Sequence, residues 1–183
     1  MKSIQLQTEA EWVHKIRADD GQAFEQLFNS YCQPLIHFVR RYVQDTSIAE
    51  GLVQDVFLAI WTNRSQLDPA RSIKSYLYTA AKNQALKQLR HSEVQQRSAA
   101  DVAGTFAHLK TPEDEWQEKE TAAAVHQAIE ALPEKCRIIF SMNRFDHLTY
   151  AEIAEIQNIS IKTVETQMGR ALKFLRNRLA DLL

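Results

Sequence analysis

The sequence contains few of the residues that interrupt helices or crosslink chains. Its 183 residues include four glycines, four prolines and two cysteines. So little glycine and proline, in a chain rich in Ala, Leu, Gln, Glu and Lys, indicates an all-α protein. Cys32 and Cys136 are far apart and belong to no CxxC or Cys/His cluster. Their placement argues against a disulfide framework or a zinc site and favours a reducing compartment.

Long apolar runs are missing as well. No segment approaches the roughly 20 apolar residues that a bilayer-spanning helix needs, and the N-terminal segment MKSIQLQTEAEW lacks the apolar core of a signal peptide. No Ser/His/acid set, pair of carboxylates, glycine-rich phosphate loop or metal-ligand spacing stands out. We therefore expect a cytoplasmic protein with no direct membrane insertion, no catalytic residues, no metal and no cofactor, and a helical enzyme is disfavoured.

Charge is distributed unevenly along the chain. The formal net charge of −1 gives no overall attraction to nucleic acid. Between Thr62 and Arg90, however, six basic residues accompany a single acid, Asp68, and acids dominate again from His91 to Val125. This alternation predicts a local basic surface flanked by acidic ones, as contact with DNA through one face requires.

The segment from Leu148 to Arg178 has the pattern of a helix-turn-helix. Thr149 and Glu152 have the spacing of a capping box, and Ser160 is a second N-cap before a helix with one apolar face. Two capped helices joined by a short turn can place the second in a major groove. An ordinary helical hairpin with a solvated polar face is the alternative. The polar residues left for DNA on the second helix are Lys162, Thr163, Glu165, Thr166, Gln167, Arg170 and Lys173.

Two further capping boxes predict helix starts in the first part of the chain. They are Thr8 with Glu11, and Ser47 with Glu50. The helix predicted after Glu50 has an apolar face wider than packing against one neighbour requires. It is interpreted either as the centre of a bundle or as a helix that docks partly on a partner.

Another long helix is predicted from Phe24 to Tyr42, where apolar residues recur at three- and four-residue steps. Pro34 lies inside this pattern. Because proline removes a backbone donor, we expect a kink or a local break there.

A loop at residues 63–71 precedes a basic helix that Ser72 is expected to open. Tyr76 and Tyr78 alternate with its basic residues. Aromatic rings beside a basic groove suit stacking on single-stranded bases, worth about 1–3 kcal/mol per base. For each tyrosine alone, a place in the core with the hydroxyl at the surface is the favoured interpretation.

From residue 92 to residue 110 the periodicity disappears, which predicts a linker between two domains, residues 1–91 and residues 111–183. Thr111 and Pro112 have the types expected at the start of the next helix, and Pro133 is expected to begin another.

Two blocks of the sequence resemble the sigma-70 family of bacterial transcription initiation factors, in its smallest form, the extracytoplasmic-function (ECF) group. The segments FEQLFNSYCQPLIHFVRRY, AEGLVQDVFLAIW and SYLYTAAKNQALKQLR resemble domain two of that family. The segment ALPEKCRIIFSMNRFDHLTYAEIAEIQNISIKTVETQMGRALKFLR resembles domain four. Both blocks in this order, without a domain three between them, make the resemblance specific.

The resemblance implies two small helical domains on a flexible linker, in a protein that binds core RNA polymerase and directs promoter-specific DNA binding and transcription initiation. A stand-alone helix-turn-helix regulator is the alternative, but it would not need the first block. The resemblance also implies an anti-sigma factor as a partner. The residues implied in polymerase binding are Glu50, Leu52, Val53, Gln54, Asp55, Phe57, Ile60 and Trp61.

The same resemblance assigns each DNA element to one block. The second helix of the helix-turn-helix is expected to read the minus-thirty-five element as duplex. The 63–71 loop and the following helix are expected to melt the minus-ten element and to capture an unpaired base. The residues implied there are Asn63, Arg64, Arg71, Lys74, Tyr76, Tyr78, Lys82, Asn83, Lys87 and Arg90.

Three positions depart from many relatives. Gly51 follows Glu50 where paired acids are common, which puts one contact in doubt. Glu165 and Gln167 stand where many relatives have arginines. Glutamate can accept from cytosine and glutamine can pair with adenine, so the minus-thirty-five sequence of a relative is not carried over.

Overall fold

The computed structural model describes residues 2–43, 45–98 and 116–180, and their side chains within residues 9–92 and 123–180. Every regular element in this described part is a helix, which confirms the all-α prediction. No helix of the described residues is long and apolar enough to cross a membrane.

The chain divides into two compact units, residues 1–107 and residues 108–183. The domain bounds expected from the sequence stay a prediction, because residues 99–115 lie outside the described part. Helix continues to Ser98, past residue 92, where the linker is expected to begin.

The described residues of the first unit form four helices and a 3-10 turn. The elements are α1 (Lys2–Arg17), α2 (Gly21–Val39), α3 (Thr46–Thr62), the 3-10 turn (Arg64–Gln66) and α4 (Ile73–Ser98). Helix α2 packs against the other three helices, and α3 also packs against α4. The largest fully buried side chains of this unit include Leu27, Phe38, Ile60 and Leu77.

Aspartates cap the second and third helices of this unit, Asp20 before α2 and Asp45 before α3. The Asp45 carboxylate accepts from the backbone N–H groups of Ser47 and Ile48, at 2.8 and 3.1 Å. The predicted capping box at Ser47 is therefore wrong, because Asp45 is the N-cap and Ser47 lies inside α3, which begins at Thr46. The box at Thr8 is wrong too, since α1 begins at Lys2 and Thr8 lies inside it.

Pro34 does not break α2, which is one helix from Gly21 to Val39. The expected local break is therefore wrong, and the kink stays a prediction. Proline costs the helix one backbone hydrogen bond, but buried side chains on either side of it, Tyr31, Leu35 and Phe38, hold the segment in the core.

An aromatic cluster joins α2 to α3. The ring centroids of Phe28 and Phe57 are 4.8 Å apart, and those of Phe24 and Trp61 are 4.9 Å apart. Phe57 also contacts Phe24 edge-on at 6.2 Å. Much of the wide apolar face of α3 is thus explained by packing inside the unit.

The second unit contains α5 (Trp116–Glu130), α6 (Glu134–Arg144), α7 (Tyr150–Gln157) and α8 (Ile161–Arg178). Helix α8 packs against α5, α6 and α7. One buried cluster consists of Ala128, Leu132, Cys136, Ala171 and Leu175. Pro133 precedes α6, as expected, whereas Thr111 and Pro112 lie outside the described residues.

Candidate nucleic-acid interfaces

The helix-turn-helix forms with the capping geometry that its sequence predicts. Thr149 Oγ1 accepts from the N–H of Glu152 at 3.2 Å, and the Glu152 carboxylate accepts from the N–H of Thr149 at 2.6 Å. Asn158 ends α7 in the left-handed conformation, with φ 54°, which asparagine tolerates better than most residues. Ser160 Oγ then accepts from the N–H of Thr163 at 3.1 Å and opens α8.

Helix α8 has one buried and one exposed face. Val164, Met168, Ala171 and Leu175 are buried, so they hold the helix on the unit. Leu172, expected on the apolar face, is 49% exposed instead. The predicted DNA-contacting residues that are exposed are Lys162, Thr163, Glu165, Thr166, Arg170 and Lys173.

Several of these polar side chains interact with the protein itself. Lys162 Nζ lies 3.2 Å from the Glu165 carboxylate, and Thr166 Oγ1 donates to the Lys162 carbonyl at 2.8 Å. The Cys136 thiol donates to Gln167 Oε1 at 3.1 Å. Pairing with adenine uses both the oxygen and the nitrogen of a glutamine amide, so Gln167 would first have to leave Cys136.

Gly169 lies on the same exposed face. A Cβ atom built there would have no neighbour within 4 Å, so packing within the unit does not require glycine at this position. The open space leaves room for close approach of another backbone.

The 63–71 loop is held by short-range contacts. Asn63 Nδ2 donates to the Ala59 carbonyl at 2.9 Å, and Asp68 Oδ1 accepts from the N–H of Ala70 at 3.0 Å. Leu67 is buried. Arg71 lies 3.5 Å from Asp68 with 82% of its side chain exposed, so it is available to an anion.

Arg64 differs from Arg71 because the protein surrounds it. Its Nε pairs with the Asp19 carboxylate, and its Nη1 donates to the Trp61 carbonyl at 2.7 Å. Its Cζ also lies 4.6 Å from the centroid of the Trp61 ring, a cation–π distance. The guanidinium is therefore occupied in this conformation.

The two tyrosines of α4 lie in opposite environments. Tyr76 is 48% exposed, whereas Tyr78 is 1% exposed and contacts Phe38 at a centroid distance of 5.0 Å. Residues two apart on a helix point about 200° apart, so both cannot lie on one face. The stacking interpretation is corrected for Tyr78, which is a core residue.

Among the polar residues of α4, Asn83, Lys87 and Arg90 are exposed, and Lys74 and Lys82 are half-buried. Burial lowers the pKa of Lys82. Arg90 Nε donates to the Leu86 carbonyl at 3.2 Å. The basic character of this segment is thus concentrated toward the middle of the long helix.

Three of the apolar residues assigned to polymerase binding are buried on α3: Val53, Phe57 and Ile60. This assignment is corrected, because they pack inside the first unit and cannot meet a partner. The other assigned residues are exposed, at Glu50, Gln54 and Asp55, or half-buried, at Leu52 and Trp61.

Leu58 is a surface residue that the sequence assignment missed. It is 64% exposed on α3. It lies three residues after Asp55 and four after Gln54, so it shares their face. The buried residues of α3 at positions 53, 56, 57 and 60 form a stripe at helical spacing. Leu58 lies outside this stripe, and this spacing would have identified it as exposed.

Within the side chains that the structure describes, no three His, Cys, Asp or Glu residues are placed to hold a metal ion. Burial, and then the charge of Glu50, raise the pKa of Cys32. A raised pKa keeps this thiol protonated and poorly nucleophilic.

Two family models match the chain. The model for sigma-70 region 2 matches residues 27–94, and the model for sigma-70 region 4 matches residues 122–175. The first stretch contains the 63–71 loop and most of α4, and the second contains α7 and most of α8.

Characterised proteins are similar over nearly the whole chain. The ECF RNA polymerase sigma factor SigW of Bacillus subtilis is 28% identical over 179 residues, which span 93% of this chain and 96% of that protein. The ECF RNA polymerase sigma-E factor of Escherichia coli is 26% identical over 180 residues, which span 93% of this chain and 94% of that protein.

Solved structures share the fold. CnrH, in complex with the cytosolic domain of CnrY, matches with a TM-score of 0.65 at 20% identity, covering 95% of this chain and 98% of that one. The sigma factor RpoE of Bartonella quintana, in complex with the anti-sigma factor NepR, matches with a TM-score of 0.63 at 21% identity, covering 86% and 96%. From the two family models and the relatives that span its length, the chain belongs to the sigma-70 family of RNA polymerase sigma factors, in its ECF group.

Proposed function

We propose that this chain is the promoter-specificity subunit of a bacterial RNA polymerase, which binds the core enzyme and directs it to a chosen set of promoters. The observation that carries the proposal is the presence of both sigma-70 regions in one chain, each with an exposed polar surface. Members of this family are initiation factors, so the chain performs no reaction of its own.

Helix α8 is the proposed reader of the minus-thirty-five element. Its exposed face carries Arg170 and Lys173 with Lys162 near its start, and a Ser160 cap fixes the first turn. Arginine pairs bidentately with guanine in the major groove, whereas lysine binds phosphate as a flexible point charge. Arg170 is therefore the proposed base contact, with the two lysines on phosphate.

The 63–71 loop and the exposed side of α4 are the proposed site for the minus-ten element. Tyr76 offers a half-exposed ring for stacking. Asn83, Lys87 and Arg90 follow it on α4 and are exposed, which suits contacts along a single-stranded backbone. Within the loop, Arg71 is the basic residue proposed to contact the DNA backbone.

The exposed face of α3 is the proposed polymerase contact. It combines three polar residues, Glu50, Gln54 and Asp55, with the apolar Leu58. An exposed leucine ringed by polar side chains is the composition of an interface centre with a polar rim. Gly51 has open space around it, so no packing requirement explains the missing acid there.

We also propose an anti-sigma factor as a partner of this chain. The proposed location is the cytoplasm. Support comes from the fold shared with a Bartonella quintana sigma factor that is bound to its anti-sigma factor NepR. A stand-alone helix-turn-helix regulator is not favoured, because it leaves the region 2 match without a role.

Reconstitution tests the proposed function. Core RNA polymerase is mixed with the full chain and with genomic promoter fragments, and run-off transcripts are sequenced. Transcripts that start at a common pair of upstream motifs, together with co-purification of the chain and the core enzyme, are expected. Binding to duplex DNA without association with polymerase would instead indicate the stand-alone regulator.

A further inference from the structure

Arg64 is a basic residue in the proposed DNA-contacting loop, but its side chain is surrounded by other residues of the protein. Its side chain is 29% exposed. The edge carrying Nε pairs with Asp19, Nη1 donates to the Trp61 carbonyl at 2.7 Å, and one face covers the Trp61 ring at 4.6 Å. Nε and one donor on Nη1 are thus in use and one face is covered, so moving the guanidinium out toward a phosphate would disrupt all three contacts.

The partners of Arg64 are themselves fixed. Asp19 has φ 66°, in the left-handed region, within the turn that joins α1 to α2. The backbone N–H groups of Asp19 and Asp20 bond to the carbonyls of Ile16 and Lys15, at 3.1 and 3.0 Å. Glycine is the usual residue at such a φ, and a carboxylate there gains a specific partner in Arg64.

The Trp61 ring is also held by contact with α2. Phe24 of α2 lies against it at a centroid distance of 4.9 Å, and Trp61 is half-buried. The ring therefore offers Arg64 a platform that belongs to the aromatic cluster between α2 and α3.

We propose that Arg64 is a positioning residue, which holds the first turn of the 63–71 loop against the α1–α2 turn and the Trp61 ring and does not itself contact DNA. With Arg64 at one point and buried Leu67 at another, the loop is anchored on both sides of its 3-10 turn. The anchored loop then holds its exposed residues Gln66, Asp68 and Arg71 in one conformation. A loop ordered in advance loses less freedom when it captures a base; this consequence rests on the proposed function.

Hydrogen exchange in the full free chain tests the holding contacts without polymerase. Arg64→Ala and Asp19→Asn are each expected to raise exchange in the peptide covering residues 63–71. The double variant is expected to match Arg64→Ala, because Arg64→Ala already removes the contact to Asp19. Arg71→Ala is the matched control: its ion pair with Asp68 is largely exposed and therefore weak, so a much smaller rise in exchange is expected. Unchanged exchange in both Arg64→Ala and Asp19→Asn would overturn the proposal.

Promoter opening by the reconstituted polymerase tests the absence of DNA contact. A 2-aminopurine base in the minus-ten element reports opening, and duplex binding is measured across salt concentrations. Arg64→Ala is expected to slow opening several-fold with an unchanged salt slope, and Arg64→Lys is expected not to rescue it, because lysine lacks the planar fork. A phosphate contact would instead lower the slope by about 1, and a lowered slope together with rescue by lysine would overturn the proposal.

Hydrogen exchange and promoter opening together distinguish failure of the positioning role from failure of the proposed function. If wild-type protein opens no promoter with core polymerase, the proposed function fails while hydrogen exchange still decides whether Arg64 holds the loop. If wild-type protein opens promoters and Arg64→Ala matches Arg71→Ala in both readouts, the positioning role fails and the proposed function stands.

Discussion

The two proposed DNA-contacting surfaces differ in how many of their predicted residues remain at the surface. On α8, six of the seven predicted residues are exposed and Gln167 is half-buried. In the first unit, Tyr78 is in the core and Arg64 is engaged by its own unit. The difference follows from the environment of each helix. Each of the two helices packs on three others, but the buried residues of α8 form one narrow stripe, whereas those of α4 extend over about half of the helix circumference. The buried residues are Val164, Met168, Ala171 and Leu175 on α8, and Ile73, Ser75, Leu77, Tyr78, Ala81 and Ala85 on α4.

This comparison shows that the spacing of apolar residues identifies DNA-contacting residues reliably only where the buried residues of a helix form one narrow stripe. On α8 the buried residues fall at the spacing 164, 168, 171 and 175, so every residue outside the stripe is a surface candidate. A helix with a wide buried face, such as α4, leaves a narrower exposed strip, and its polar residues can interact inside the unit.

The largest expected effect separates the two tyrosines of α4. Tyr78→Ala is expected to destabilise the first unit by about 3–5 kcal/mol, since it removes a buried ring beside Phe38. Tyr76→Ala is expected to leave the free energy of unfolding within about 0.5 kcal/mol and to weaken capture of single-stranded minus-ten DNA by about 1–3 kcal/mol. Denaturant unfolding and binding of a labelled single strand in holoenzyme measure the two effects. Equal stability losses would contradict the assigned burial.

Arg170→Ala tests the surface of α8. If Arg170 reads a base, the substitution costs about 1–3 kcal/mol of promoter binding and relaxes preference at one position of the minus-thirty-five element. Lys173→Ala is the matched comparison on the same face. It is expected to weaken all sequences alike and to lower the salt slope by about 1. Selection from a randomised promoter library shows which behaviour each variant has, and unchanged promoter output would remove Arg170 from the site.

Leu58→Ala tests whether α3 has an exposed partner-binding face beside its buried one. The side chain is 64% exposed, so folding stability is expected to change by less than about 0.5 kcal/mol. Affinity for core polymerase is expected to fall by about 1–2 kcal/mol if Leu58 is buried in the complex. Competition binding of labelled chain to core enzyme provides the measurement. Thr62→Ala, at an exposed position at the end of α3, is the control, and equal affinities of the two variants would count against this face.

The smallest effect concerns the start of α3. Asp45→Ala is expected to lower stability by about 1 kcal/mol, because it removes the acceptor of two helix N–H groups. Ser47→Ala is expected to be nearly neutral. Urea unfolding of the two variants measures the difference, and a larger loss in Ser47→Ala would restore the capping box.

How much could be predicted from the sequence depended on the range of the interaction involved. The caps Thr149, Glu152 and Ser160 bond to backbone three residues away, and each was predicted correctly. Asp45 was missed because Ser47 offers an equally good local pattern, and only the backbone geometry distinguishes the two. When two neighbouring residues offer equally good capping patterns, the sequence does not show which one is the N-cap.

Long-range contacts account for what the sequence could not indicate. Nothing near Arg64 in the chain shows that Asp19, 45 residues earlier, pairs with it. The Cys136 contact to Gln167 spans 31 residues. By contrast, the opposite environments of Tyr76 and Tyr78 follow from helix geometry alone, so that distinction was available from the sequence.

Footprinting of the reconstituted polymerase on one of its promoters tests the central claim, that a single chain carries two DNA-contacting surfaces of different kind. The account predicts a protected duplex segment upstream, and permanganate-reactive, unpaired thymines in a separate segment near the start site. Arg170→Ala should reduce the protection, and Tyr76→Ala should reduce the reactivity. Protection of one continuous duplex segment, with no reactive thymines, would contradict the claim.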